Sequence, residues 1–437
     1  MRLVDYLHRN AELYPEKTAA ICGGDKITWR ELSARVIEKS SCFKKGQVIP
    51  FRSSQNIDFL VTYFAIHQAG AVAAPLERDI PENRFQEISG ILSSSKVPEG
   101  TADILYTTGT TGKSKGVMIS HRTIIADAEN LIEGQGFSHD LLFIISGPLN
   151  HIGSLSKIFP VTMQGATLYI LEGMKDLEKF FEALDYPARK VATFFVPATI
   201  RMLLMFSGER LSKYADKIDF IESGAAPLAH SDMLKLCEVL PKTRLYNTYA
   251  STETGIISTY NFNDGECIPG CLGRPMSNSR IIITEEGRIS CTGNTLMSGY
   301  VNDPALTATI LKDNTIYTTD IGELDQWGRL HLTGRESDVI NVGGFKVSPA
   351  EVEDAAMSFP GIKDCICIGE PHPITGMALK LIVAVKDGFT LDKPGLARHL
   401  KGKLEMFKIP LLYKQEEEIK RTYNGKLDRK YYNSQKI

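Results

Sequence analysis

Between residues 57 and 253 the chain repeatedly sets a short apolar run without period beside a longer stretch whose apolar residues recur three or four apart, and few folds accept that rhythm. Ile57 to Gln68 carries the helical spacing and is closed by Gly70, after which Ala71 to Leu76 has the small, apolar look of a buried strand. The step repeats with Leu142 to Ser146 and a helix ending at Gln164, with Ala166 to Leu171 and a helix ending at Asp185, and with Thr193 to Val196 before a helix opened by Pro197. Strands that are apolar throughout are buried on both faces, so the spacing predicts a mostly parallel sheet covered by helices on both sides. Sites in such sheets gather at the carboxyl ends of the strands. Two unusual segments fall there: Ser223-Gly224-Ala225-Ala226-Pro227 after Ile218 to Ile221, and Asn247-Thr248-Tyr249-Ala250-Ser251-Thr252-Glu253 after Thr243 to Tyr246. Both read as turns following a strand.

The flanks have a different pattern. Leu3 to Ala20 reads as an amphipathic helix followed by a break at Pro15, and Thr28 to Lys39 as a second helix with Thr28 as its cap. From Ser279 onward two hairpins appear, IIITEEGRIS and ELDQWGRLHL, each turning at a glycine between alternating apolar residues. Beyond the charged step Arg335 to Asp338, a helix from Pro349 to Ser358, strands near Asp364 to Ile368 and Ala378 to Val385, and a helix around Asp392 to Glu405 make a small α+β unit. The expected class is α/β: a large multi-lobed N-terminal domain, 1–335, with mostly parallel sheets and a β-rich lobe, and a small C-terminal domain, 336–437.

Bulk composition narrows the function. A 437-residue chain with 43% hydrophobic residues can bury a large core, and 50 Lys plus Arg against 52 Asp plus Glu leaves no basic field for nucleic acid. Eight cysteines without a CxxC pair read as reduced thiols rather than a zinc site. The opening MRLVDYLHRN lacks an apolar signal core, and the longest apolar run, Phe59 to Ile66 apart from Thr62, is too short for a membrane span. A cytoplasmic protein that recognises its ligands locally is expected.

The most chemically loaded stretch is Tyr106 to Gly116, YTTGTTGKSKG. Gly109 and Gly112 can take positive φ and let backbone N–H groups converge on an anion; Thr107, Thr108, Thr110 and Thr111 add hydroxyls, and Lys113 or Lys115 a compact positive charge. The second half of a Walker A loop is matched by Gly112-Lys113-Ser114, but Thr107 stands where that pattern needs its first glycine. Alone, the segment reads equally as a phosphate cradle or as a polar turn between two strands.

TTGTTGKSKGV resembles the signature loop of the adenylate-forming superfamily, which includes acyl-CoA synthetases, aryl-CoA ligases, luciferases and nonribosomal adenylation domains. Ser114 stands where that family usually has proline. Further motifs follow in the family's order. YASTE, Tyr249 to Glu253, is similar to its Y-G-x-T-E with Ala250 for glycine; YTTDIGEL around Asp320 resembles its ribose-binding element; Gly334-Arg335-Glu336-Ser337-Asp338 resembles its hinge; and Asn424-Gly425-Lys426-Leu427-Asp428-Arg429 resembles its C-terminal lysine loop without the preceding proline. The family's extra portion before the phosphate loop is cut down here to Glu77 to Ala102.

The resemblance implies roles residue by residue. Thr107, Thr108, Gly109, Thr110, Thr111, Gly112 and Lys115 would hold the β and γ phosphates of ATP. Gly224, Ala225, Ala226, Asn247, Thr248 and Tyr249 would hold the adenine. Asp320 and Arg335 would take the ribose, Glu253 a magnesium ion with Thr252 beside it, and Lys426 the transition state of adenylation. His151, Ser223, Ala250 and Ser251 would surround the acid, Ser337 would be the pivot of a mobile C-terminal domain, and Asn341-Val342-Gly343-Gly344 would move in beside the pantetheine in the second step.

ATP, Mg2+ and CoA are therefore the implied cofactors, and a small carboxylic acid the implied partner. The acceptor is CoA or, alternatively, the phosphopantetheine of a carrier protein. Amino-acid activation is disfavoured because His151 occupies the region where the family's amino-acid enzymes carry an aspartate, and retention of Glu253, Asp320, Arg335 and Lys426 together argues against a catalytically silent nucleotide-binding protein. Of Phe194 and Phe195 at most one can line the pocket, since strand neighbours face opposite ways. With no lysine or arginine foreseen among the lining residues, an uncharged aryl or medium-length acyl acid is expected over a dicarboxylate.

Overall fold

The computed structural model describes residues 1–107, 115–422 and 425–434. Its strands run, in chain order, β1 Thr18–Cys22, β2 Asp25–Thr28, β3 Val48–Arg52, β4 Val72–Leu76, β5 Thr101–Thr107, β6 Lys115–Ser120, β7 Leu141–Ile145 and β8 Thr167–Ile170. They continue with β9 Lys190–Phe195, β10 Ile218–Ser223, β11 Arg244–Ser251, β12 Gly255–Asn261, β13 Cys271–Gly273, β14 Ser279–Ile283, β15 Arg288–Gly293 and β16 Gly299–Tyr300. After them come β17 Leu311–Lys312, β18 Thr315–Leu324, β19 Leu330–Arg335, β20 Ile340–Val342, β21 Phe345–Val347, β22 Ile362–His372, β23 Gly376–Val385 and β24 Leu412–Gln415.

The largest sheet has the order β12-β11-β10-β9-β7-β8-β1-β2. Its centre is parallel, from β11 through to β1, and only the edges β12 and β2 are antiparallel. A second sheet, β16-β6-β5-β4-β3, pairs β3, β4 and β5 in parallel and then turns back through the β5–β6 hairpin. The expected α/β class follows from these two sheets. The third, β13-β19-β18-β15-β14 with β17 beside β18, is antiparallel and forms the β-rich lobe.

Helices cover the parallel sheets as the apolar spacing predicts. We number α1 Leu3–Leu13, α2 Trp29–Ser40, α3 Ile57–Gln68, α4 Glu82–Ser93, α5 His121–Gln135, α6 Ile152–Gln164, α7 Leu177–Asp185, α8 Pro197–Ser212 and α9 His230–Val239. In α2, Thr28 and Glu31 form a reciprocal capping box. Ser120 accepts from Thr123 N at the start of α5, and Pro197 sits in the first turn of α8. One apolar core lies on the α5–α6 face of the large sheet and holds Phe143, Phe220 and Tyr246; the other lies on the α7–α9 face and holds Phe180, Phe195 and Ile221.

Two sequence expectations are corrected. The first helix stops at Leu13, and Thr18–Cys22 is the strand β1, because it pairs with β8 some 150 residues away, a partner that local spacing cannot reveal. Asn247 to Ser251 is not a turn: β11 runs on to Ser251 and pairs with β12, so the turn is confined to Thr252–Thr254.

The C-terminal part has its own core. Ile340, Val347, Val352, Leu381, Leu396 and Leu400 pack with residues that all follow the turn 336–338. They are contributed by β22-β23-β24, the β20–β21 hairpin, and two helices, α10 Pro349–Met357 and α11 Lys393–Lys401.

Candidate active site

Residues from β11, the hairpin β5–β6, the strand β18 and the last segment of the chain come together. Asp320 on β18 is 6% exposed and anchors the group. Its Oδ1 accepts from Arg335 Nε at 2.7 Å and its Oδ2 from the Tyr249 hydroxyl at 2.9 Å. The first contact is built into the hairpin, since Asp320 and Arg335 are register partners across β18 and β19. Tyr249 is 6% exposed, so its ring is held in the core, and burial beside Asp320 pushes its phenol well above the ordinary value.

Lys426 enters this group from the far end of the chain. Burial lowers its pKa, the neighbouring Arg335 lowers it further, and Asp320 and Glu253 act in the opposite sense. His151 caps the start of α6 within the field of Lys426; burial and then that ammonium hold the imidazole at about 4, so it is neutral at physiological pH. The structure thus brings together His151, Glu253, Asp320, Arg335 and Lys426, which the sequence spreads over 276 positions.

Glu253 meets the hairpin β5–β6 through a residue that sequence reasoning missed. Glu253 Oε1 accepts from the Tyr300 hydroxyl at 3.0 Å, and Lys115 Nζ lies 5.5 Å from the centre of the same ring. Tyr300 is fixed there because β16 pairs with β6, setting Tyr300 opposite Val117. Thr107 ends β5 directly opposite Lys115. Thr108, Gly109, Thr110, Thr111 and Gly112, expected to cradle phosphate, lie outside the described residues.

Gly224 and Ala225 form a tight turn after β10. A Cβ on Gly224 would stand 3.3 Å from the Phe194 ring and 3.4 Å from the Thr248 carbonyl oxygen, which leaves little room for a side chain. Ala225 holds φ +68, a left-handed conformation that costs an L-residue about 1–2 kcal/mol. Ala226 completes the turn half-buried. Asn247 and Thr248 offer their side chains elsewhere: Asn247 Nδ2 reaches the Cys271 carbonyl, and Thr248 Oγ1 bonds to Gln135 and Thr259.

The residues expected around the acid are divided between the two faces of the large sheet. Phe195 packs into the α7–α9 core, whereas Phe194 is half-buried on the opposite face. A Cβ on Gly153, two residues after His151, would stand 3.2 Å from the Phe194 ring, so this ring is held between α6 and the turn after β10. Ser223 pairs with Phe195 in register and therefore sits on the face away from α6; its buried hydroxyl has no hydrogen-bond partner among the described residues. Ser251 spends its hydroxyl within the turn, donating to or accepting from Thr254 Oγ1 at 2.9 Å and accepting from Thr254 N at 3.0 Å. Ala250 packs against the core on the α5–α6 face.

A basic residue that sequence reasoning missed lies next to Phe194. Lys157 of α6 and Glu222 of β10, each 1% exposed, face one another beneath Phe194, with Nζ 2.8 Å from Oε1 and 2.7 Å from Oε2. A lone lysine on an otherwise apolar helix was the available signal.

A second set of charges crosses to the C-terminal part. Arg201 of α8 donates Nε to Asp232 Oδ2 at 2.9 Å and Nη1 to Asp364 Oδ1 at 2.8 Å. Asp364 Oδ2 accepts from Arg421 Nη2 at 2.6 Å, and Arg421 Nη1 donates to the Gly425 carbonyl at 2.9 Å, next to Lys426. His230 N, at the start of α9, donates to Asp354 Oδ1 of α10 at 2.8 Å. The predicted pivot, Ser337, lies exposed in the turn after β19.

Comparison with known proteins agrees with this architecture. The family model described as AMP-binding enzyme matches residues 7–98 and 90–301, and that of the AMP-binding enzyme C-terminal domain matches 351–426. The chain belongs to the AMP-binding enzyme family, the adenylate-forming superfamily that its motifs resemble. A feruloyl-CoA synthase from Amycolatopsis sp is 25% identical, with 96% of each chain covered. A long-chain-fatty-acid–CoA ligase from Bacillus subtilis is 29% identical over 79% of this chain and 64% of its own length. The crystal structure of ATP-bound MatB from Rhodopseudomonas palustris superposes with a TM-score of 0.86 at 23% identity, covering 99% of both chains, and shares the fold. No helix among the described residues is long and apolar enough to cross a membrane.

Proposed function

We propose that the protein is an AMP-forming acid–thiol ligase: it joins a carboxylic acid to the α-phosphate of ATP and passes the acyl group to CoA. The observation that carries this reading is the convergence of Lys426 on Asp320, Arg335, Glu253 and His151.

In the first half-reaction a carboxylate oxygen bonds to the α-phosphorus, the bond from that phosphorus to the bridging oxygen breaks, and pyrophosphate leaves. An anion attacks an anion, so charge must be offset as it develops. We assign that task to Lys426, whose ammonium lies within the field of Arg335, Asp320, Glu253 and His151, the last of which is neutral. Asp320, oriented by Arg335 and Tyr249, is the acceptor for ribose hydroxyls. Lys115 and the loop before it hold the outer phosphates.

Glu253 fits a magnesium ion, which takes one or two carboxylates together with phosphate oxygens, and among the described residues no larger cluster of ligating side chains competes. Bound there, the ion would withdraw charge toward the departing pyrophosphate. In the second half-reaction the CoA thiol loses its proton to solvent, its sulfur bonds to the acyl carbon, and the bond from that carbon to the phosphate oxygen breaks, releasing AMP. We assign the domains as 1–335 and 336–437, with rotation about Ser337 removing Lys426 and bringing in Asn341 to Gly344 for that step.

CoA is favoured over a carrier protein because the similar relatives named above act on CoA by their names. All eight cysteines are free thiols, which suits a reducing cytoplasm. Carboxylate-dependent ATP–pyrophosphate exchange tests the reading. Lys426→Ala is expected to reduce exchange by ~100-fold or more, while CoA consumption from pre-formed acyl-adenylate persists; equal loss of both would remove Lys426 from the first step.

A further inference from the structure

The buried pair of Lys157 and Glu222 has no stabilising reason to exist. Two charges taken out of water lose hydration that their mutual attraction only just repays, and apolar residues of like volume serve a core as well or better. The pair is also incompletely satisfied. Lys157 has three N–H donors, yet its hydrogen bond among the described residues is the one to Glu222 Oε1, and Glu222 Oε2, although 2.7 Å from the ammonium, receives no aligned hydrogen bond.

Its position relative to the chemistry is set by the fold. Glu222 and Phe194 are register partners on adjacent strands and share the face that α6 covers. Lys157 Nζ lies 5.1 Å from the centre of the Phe194 ring. On α6 Lys157 stands four residues beyond Gly153, one turn further along the same face, and Phe194 packs against both. On the ligase reading His151, at the start of α6, marks the end at which the acid's carboxylate meets Lys426, and Phe194 leads from there toward the ion pair.

From this juxtaposition we propose that Lys157 and Glu222 form the polar floor of the acid pocket and select a compact acid whose far end carries an uncharged hydrogen-bonding group, such as a hydroxyl. A hydroxyl can accept from the ammonium and donate to Glu222 Oε2 at once. A methyl group there would bury the unfilled donor and acceptor, and a long alkyl chain would press against a buried ion pair. A second carboxylate would be attracted by Lys157 but repelled by Glu222. This narrows the earlier expectation of an apolar pocket, and it rests on the ligase reading.

The wild-type protein decides the matter without mutation. Pyrophosphate release would be measured with 4-hydroxybenzoate, 4-methylbenzoate, 4-hydroxycinnamate, 4-methylcinnamate, octanoate and succinate. We expect a hydroxylated acid to exceed its methyl counterpart at least tenfold in kcat/KM. Preference for the methyl acids, octanoate or succinate overturns the proposal. Calorimetric titration of the same acids in the presence of AMP gives the ranking without turnover, so failure of the ligase reading is distinguished from failure of the floor. The double variant Lys157→Met with Glu222→Leu removes both members of the pair together, and the remaining buried acid within the field of Lys157, Asp127, is held neutral by burial at and below about pH 7. This variant is expected to reverse the ranking while thermal unfolding stays cooperative, and a folded double variant that keeps the wild-type order would assign the pair to structure alone.

Discussion

Replacing Arg201 by alanine separates the two half-reactions if the C-terminal part is held in its present orientation by the charge chain that runs from α8 to Lys426. Arg201 holds Asp232 Oδ2 with Nε at 2.9 Å and Nη2 at 2.8 Å and Asp364 Oδ1 with Nη1 at 2.8 Å, in surroundings that leave its side chain 15% exposed. Only the Asp364 arm crosses between the two parts, so only that arm changes when they rotate. A largely buried hydrogen bond between charged groups is worth about 1.5–3 kcal/mol, and 2 kcal/mol corresponds to roughly a 30-fold shift in a two-state equilibrium. ATP–pyrophosphate exchange should therefore fall by about 10- to 100-fold, because Lys426 is less often in place. CoA consumption from pre-formed acyl-adenylate, which on the proposed rotation uses a different orientation, should hold or rise. Asp232→Asn is the control: it disturbs Arg201 without crossing the boundary and should affect the two steps alike. If Arg201→Ala lowers both half-reactions equally, or neither, the contact is ordinary surface packing and the reasoning is wrong.

Three other outcomes follow from single side chains. Asp127 on α5 is fully buried with Oδ2 unpartnered among the described residues, and burial raises its pKa from 3.8 to about 7. The folded state then holds a proton that the unfolded state has released, so this group's contribution is complete below about pH 4 and is lost as pH rises through 7. Asp127→Asn should flatten the fall of Tm over that window, and an unchanged slope would assign the pH dependence elsewhere. Ala225→Gly relieves a left-handed φ and should raise stability by about 1 kcal/mol in urea unfolding; destabilisation would mean that the Ala225 methyl makes compensating contacts. Burial and Arg335 lower the pKa of Lys426, so exchange activity should decline on the alkaline side below the range of an ordinary lysine, and Lys426→Arg should remove that limb from whatever activity it retains.

Much of the fold was legible because its causes are local. Thr28 with Glu31, Ser120 before α5 and Pro197 in α8 each satisfy or spare N–H groups within a few residues, so these helix starts could be read from the chain. Glycines 287 and 328 turn the two hairpins with positive φ, as their place between alternating apolar residues implied. What local pattern could not supply was partnership at long range. Thr18–Cys22 continues the spacing of the preceding helix and becomes a strand only because β8 is beside it. Asn247–Ser251 has the small polar residues of a turn, yet β12 returns along it and supplies a ladder.

The site divides along the same line. Asp320, Arg335, Glu253 and Lys426 were visible as motifs, but a motif names residues without stating what orients them. Tyr249 does this for Asp320, Tyr300 for Glu253, and Arg421, through Asp364 and Arg201, for the loop of Lys426. None of these three links has a spacing that could be searched for, since each joins residues 47 to 163 positions apart. The pocket floor is the extreme case. Lys157 is the one charge on the apolar helix α6, and Glu222 shares β10 with Asp219 but, unlike it, is wholly buried; each alone would be excluded from a core on cost. Only the register of β9 with β10, which sets Glu222 beside Phe194 under α6, turns two improbable residues into one pair and gives the acid a polar group to find.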